Sequence, residues 1–153
     1  KTAPGDPEAF AGFLKQLLDS PEDPGSFSPA ALLAAGEIIA GAPGIYAGFV
    51  PLLLQYLDHD RLRPQVMFAL GKIAAARPLL LRKYTGRLLP FLRDPAAETR
   101  AGTALALGRL RVAEAAEGLN RLLDDDSEVD YYEDGTLGKK TVGQMAAAAL
   151  TML

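Results

Sequence analysis

A self-similarity with a period in the mid-thirties constrains this chain more than any other feature. AAGEIIAGAP (34–43) lines up with ALGKIAAARP (69–78) at a spacing of 35, and ALGKI (69–73) with ALGRL (106–110) at 37. Arg63 and Arg100 share the 37-residue spacing. Asp19, Asp58, Asp94 and Asp124 each follow the hydrophobic end of a predicted helix. A unit of this length cannot bury its apolar face alone and does so by stacking on its neighbours. Ala and Leu supply most of the apolar content, which favours helices.

The best-formed copy is LLPFLRDPAAETRAGTALALGRL, Leu88 to Leu110. It predicts a helix ending at LLPFLR, then a second with Asp94 as N-cap and Pro95 as first helical residue. In chain order the same signals predict helices from Asp6-Pro7 to about Leu18, from Ser28-Pro29 through the AALLAAGEIIAG run, and from Pro43 to about Leu57. A fourth follows Asp58–Arg61 and ends near Ala76; a fifth runs from Pro78 to near Arg93. The sixth is the second half of the Leu88–Leu110 stretch, the seventh spans Val112–Leu123, and the eighth spans Lys140–Leu153. The chain therefore reads as one domain over residues 1–153, with units at approximately 6–42, 43–77, 78–111 and 112–153. Residues 38–57 carry no charge over the length of a spanning helix, but Gly41, Pro43, Gly44 and Pro51 break them into two shorter helices and a turn.

VPLLLQYLDHDRLRPQVMFALGKI and LLPFLRDPAAETRAGTALALGRL resemble HEAT repeats, of the bacterial kind also found in phycobilin lyases. The matching features are Pro51 and Pro90 in the first helix, Asp94 after it, Arg63 and Arg100, then Ala-Leu-Gly. The first unit lacks the Arg, and the fourth has Gly143 where it would align. This resemblance implies an all-α fold: a right-handed α-α superhelix of about four helix pairs, with the second helices lining the concave face. It also implies an Asp–Arg ladder between repeats, in which Arg63 would meet Asp58 or Asp94. Independently, the wheel of the sixth helix puts Arg100 on the inward side, where it needs Asp94 or the aspartate of a neighbouring unit.

Placing the second helices on a wheel of 3.6 residues per turn predicts a solvent-facing lane. It holds Ala30, Ala34 and Glu37; Gln65, Ala69 and Lys72; Gly102, Ala106 and Arg109; and Met145, Ala149 and Met152. The row Ala34, Ala69, Ala106 and Ala149 would leave a shallow groove for a helix or extended peptide. Glu37 and Lys72 hold equivalent positions and predict a weak ion pair.

Charge is uneven: residues 1–60 carry net −6, 61–111 net +9, and 112–153 net −6. A basic waist suits an acidic protein or nucleic acid. Arg82, Lys83 and Arg87 fall on the fifth helix, which should face the convex side, so the cations do not converge and nucleic acid is the disfavoured partner. Asp124 to Thr141 is an insertion in the last unit. Asp134-Gly135 predicts a tight turn in a short β-hairpin or ordered loop, with Tyr131 and Tyr132 as contact residues. Gly138-Lys139-Lys140-Thr141 fails as a phosphate loop because Glu133 stands where the first Gly belongs. The alternating acids from Asp124 to Asp130 fail as a calcium loop because Val129 replaces the turn Gly.

The chain has no Cys and a single His, His59, which excludes thiolate chemistry and makes a His-centred zinc site implausible. No catalytic residue, cofactor or metal is expected. Three readings follow: a protein-interaction scaffold binding an unidentified protein or peptide; a phycobilin-lyase-like or chaperone-like helper for a cofactor-bearing protein; and a nucleic-acid-binding HEAT-type domain. A cytoplasmic place without a membrane partner is expected. Lys1 stands without a preceding Met, which suggests a trimmed or processed segment.

Overall fold

The computed structural model describes residues 6, 8–10, 12–13, 29–133 and 135–153. The end of the first predicted helix, Asp19 and the Ser28 cap lie outside the described residues, as does the side chain of Ala30. Asp6 caps the helical residues that follow it: its Oδ1 accepts the N–H groups of Glu8 and Ala9 at 3.0 and 3.2 Å. Phe10 then packs edge-on against Tyr46 and Phe49, with ring centroids 4.9 and 5.0 Å away.

From residue 29 the helices are α1 (Pro29–Gly41), α2 (Pro43–Tyr46), α3 (Val50–Gln55), α4 (Arg63–Ala76), α5 (Thr85–Leu88), α6 (Ala97–Arg109), α7 (Ala116–Arg121) and α8 (Val142–Met152). The second helices α1, α4, α6 and α8 are long and Ala-rich, and none carries Pro beyond its first turn. The first helices of the second and third units were expected as continuous elements, and this is corrected. The segment after Pro43 breaks into α2, a 3₁₀ turn at Ala47–Phe49, α3 and a second 3₁₀ turn at Tyr56–Asp58. The segment after Pro78 breaks into 3₁₀ turns around α5, and Pro90 lies inside the last of them. A proline has no N–H to give the carbonyl four residues back and its ring obstructs that carbonyl, so the chain tightens locally.

The long helices stack in chain order: α4 lies between α1 and α6, and α6 between α4 and α8. One hydrophobic core runs through the stack, from Phe10 and Leu32 to Ala146 and Ala149. The helices approach closely because glycines sit at their contacts. A Cβ on Gly36 would lie 2.8 Å from the Ala69 carbonyl oxygen, and one on Gly108 would lie 2.7 Å from Ala149 Cα. The charge-free span is bent by 107° between Ala34–Gly41 and Pro43–Asp58. Among the described residues no single helix is long and apolar enough to cross a membrane.

The insertion is an antiparallel hairpin of β1 (Glu128–Glu133) and β2 (Thr136–Thr141), closing on the pair Glu133↔Thr136. Gly135 takes φ +78° in the two-residue turn, as hairpin geometry requires. β2 runs into α8 through a capping box: Thr141 Oγ1 accepts the Gln144 N–H at 3.1 Å, and Gln144 Oε1 accepts the Thr141 N–H at 2.8 Å. Lys140, expected to open the eighth helix, is therefore a strand residue.

Candidate interaction surface

An aspartate after a first helix and an arginine at the start of a second make the strongest polar link between neighbouring pairs. Arg63 Nη1 donates to Asp94 Oδ2 at 2.8 Å, and Asp94 is buried. The same guanidinium reaches Asp60 Oδ1 at 2.8 Å and the Leu57 carbonyl, and lies 5.1 Å from the centre of the Phe91 ring. Asp94 Oδ1 meanwhile accepts the Ala96 N–H at 2.9 Å. The expected Asp94 cap with Pro95 as first helical residue is corrected: Ala96 is the N-cap and α6 begins at Ala97. Asp58 is corrected too, being exposed, while Asp60 takes the additional contact with Arg63.

Arg100 repeats the arrangement one unit on. Its Nε donates to Asp125 Oδ2 at 2.9 Å, and its Nη1 to the carbonyls of Asp94 and Pro95 at 2.9 and 3.0 Å. Asp125 Oδ1 accepts the Ser127 N–H at 3.1 Å, as Asp94 does with Ala96. The aspartate at work is Asp125, not the aligned Asp124, which is exposed. Burial pushes the Asp125 carboxyl up, but hydrogen bonds from Arg100 and Ser127, with the Arg100 charge, outweigh it and hold the group below its ordinary value. In the last unit Gly143 stands where the Arg would align. Its N–H donates to the Asp125 carbonyl at 2.8 Å, and any Cβ there would strike the Leu123 carbonyl oxygen, so only glycine fits.

Other cations reach back to the preceding pair. Arg77 Nε donates to the Ala40 carbonyl at 3.0 Å, Arg87 Nη2 to that of Leu54 at 3.2 Å, and Arg109 Nη1 to that of Gly71 at 2.8 Å. Lys72 pairs with Glu37 at 3.1 Å, as their equivalent positions predicted; Glu37 is exposed and Lys72 half-buried. Six of the eleven basic residues between 61 and 111 (Arg63, Lys72, Arg77, Arg87, Arg100 and Arg109) thus bridge neighbouring pairs.

The predicted solvent lane is largely covered. Ala69, Gly102, Ala106, Met145 and Ala149 are buried, Gln65, Lys72 and Arg109 are half-buried, and Ala34 at the end of the row is exposed. A wheel assigns one buried face, whereas α4 and α6 each pack against a neighbour on both sides. The glycine of one helix also brings the next close enough to cover its alanine. Gly102 is itself such a contact, since a Cβ there would lie 3.1 Å from Met67 Cγ.

On the hairpin, Val129 is buried and anchors β1. Tyr131 is half-buried, with Lys140 Nζ 4.4 Å from its ring centre. The backbone of Tyr132 pairs with Leu137, but its side chain lies outside the described structure. Leu137 is 65% exposed and is the hairpin's prominent apolar side chain. The sequence placed Leu137 in the hairpin after the Asp134-Gly135 turn, but Tyr131 and Tyr132 were the expected contact residues. His59 is exposed in the turn after Leu57, its ring 6.2 Å from that of Tyr56. Among the described residues, no group of three or more His, Asp or Glu side chains is placed to hold a metal ion.

No curated protein and no solved structure matches the chain. The family model of the HEAT-like repeat matches residues 60–110, the segment that holds α4, α6 and both ladder arginines, and over that segment the chain is similar to HEAT-like repeats.

Proposed function

We propose that this chain is a non-catalytic scaffold that binds a protein partner, with the hairpin as its principal contact. HEAT-like repeats generally serve as protein-interaction scaffolds, and this is the coarse basis of the reading. The observation that carries it is Leu137, 65% exposed on a hairpin whose base is fixed by the capping box and by Val129. A large apolar side chain held on a rigid support loses little freedom on binding. Half-buried Tyr131, stacked under Lys140, supports the hairpin and offers its remaining edge. The groove along the second helices contributes less than the sequence predicted, because most of its alanines are covered. Ala34, Glu37, Gln65, Lys72, Arg109 and Met152 are the described members of that lane with surface left to offer.

The nucleic-acid reading has lost its main support, since most cations of the basic waist bridge neighbouring pairs. Photo-crosslinking tests the scaffold reading. A crosslinking amino acid at position 137 should capture a discrete partner in the source cells, and one at exposed Ala113 should not. Equal capture at both positions, or none at 137, would remove the hairpin as the contact.

A further inference from the structure

Two large apolar side chains protrude at the turns that join one pair to the next. Ile45 is 49% exposed, just after Pro43, and Leu79 is 77% exposed, just after Pro78. They stand at near-equivalent points of adjacent units. Arg77 joins the two turns physically, its Nε donating to the Ala40 carbonyl at 3.0 Å. Ile38, 40% exposed near the end of α1, belongs to the first of these turns, with the Ala42 N–H donating to its carbonyl at 3.1 Å.

The same edge is basic. Arg77, Arg82 and Lys83 are exposed around Leu79, with Lys83 Nζ 5.1 Å from the centre of the Tyr84 ring. Between Ile38 and Arg93 the only carboxylates are Asp58 and Asp60, and these lie past the far end of α3. At the next turn Glu114 follows Arg111, which confines the carboxylate-free edge to two turns: an uncharged one around Ile45 and a basic one around Leu79.

We propose that this edge, Ile45 and Leu79 with Arg77, Arg82 and Lys83, docks on an anionic lipid bilayer. Protruding apolar side chains enter a bilayer interface at any point, whereas a protein partner has to supply a matching pocket for each. Cations of a single sign beside them meet anionic headgroups. The proposal does not rest on the hairpin reading, and it departs from the expectation of no membrane partner.

Co-sedimentation of the full chain with vesicles tests it, using phosphatidylcholine alone and phosphatidylcholine mixed with phosphatidylserine. Binding is expected only with phosphatidylserine and should weaken as salt is raised. The pair Arg82→Glu and Lys83→Glu should lower the bound fraction on the order of tenfold or more. Ile45→Ser with Leu79→Ser should also lower it, with circular dichroism unchanged. If either double variant fails to fold, the singles Leu79→Ser and Arg82→Ala carry the same test. No binding to phosphatidylserine vesicles at low salt, equal binding to both vesicle types, or wild-type binding by either folded variant overturns the proposal.

Discussion

Asp125 performs for Arg100 the task that Asp94 performs for Arg63. In each case one carboxylate oxygen accepts the main-chain N–H two residues on, and the other takes the guanidinium of the preceding second helix. Each aspartate thereby fixes the entry into the next segment and ties it back to the previous pair. The two links are local rules repeated along a stack, which is how a chain of self-similar units gains order beyond its hydrophobic contacts.

Asp94→Ala should destabilise the fold by about 3 kcal/mol, the cost of leaving one partner of a buried ion pair uncompensated. The Arg63 side chain retains 15% exposure and its contacts with Asp60 and Leu57, which limits the loss. Asp60→Ala, at a side chain 90% exposed, should stay within about 0.5 kcal/mol. Urea midpoints of the two variants decide this, and equal shifts would show that the ladder does not stabilise the stack.

Acid sensitivity should centre on Asp125. Its carboxyl titrates below its ordinary value in the folded chain, so the unfolded chain binds the proton first as pH falls. The stabilisation is present in full above the unfolded value of about 4 and is lost as pH drops through the lower folded value. Asp125→Asn should therefore show a smaller loss of stability than wild type on acidification below about pH 4. Denaturation midpoints at neutral and acid pH measure it; parallel curves would rule out this linkage.

Thr99 points to a stabilising change. It is fully buried in the first turns of α6, and its Oγ1 has no hydrogen-bond partner. A buried hydroxyl without a partner retains its desolvation cost, and Val matches its shape. Thr99→Val should raise stability by up to about 1 kcal/mol. A thermal melt that shifts downward would indicate that the hydroxyl is satisfied.

The period made the stack legible, because Gly36, Gly71 and Gly108 recur with the spacing of the stacked helices, and Gly36 and Gly108 stand where one helix closely approaches the next. The Arg63–Asp94 link was one of the two that the HEAT resemblance implied, Asp58 being the other, and the need of a lone inward cation for an acid was legible at Arg100. Asp125 was not legible, since three consecutive aspartates offer the same chemistry and only the position of Ser127 selects one. Arg77, Arg87 and Arg109 were equally hidden, because their acceptors are main-chain carbonyls brought near only by stacking. The surface was misread at Ala69, Ala106 and Ala149 because a helical wheel describes one helix, while burial here depends on two neighbours.

Gly108 and Gly71 hold equivalent places, yet their alanine variants should move stability in opposite directions. A Cβ on Gly108 meets Ala149 Cα at 2.7 Å and Ala149 Cβ at 2.8 Å, both fixed parts of α8. Relief requires α6 and α8 to separate, and forcing extra atoms into a packed contact costs about 1–3 kcal/mol. A Cβ on Gly71 meets Arg109 Nη1 at 3.6 Å and Leu105 Cδ2 at 3.9 Å, ordinary contacts with side-chain ends. Replacing a mid-helix glycine by alanine then adds helix propensity of up to about 1 kcal/mol. Gly108→Ala should lower the melting temperature and Gly71→Ala should raise it. Equal effects would mean that the stack adjusts its helix spacing freely, and the glycines would then owe their positions to something other than close approach.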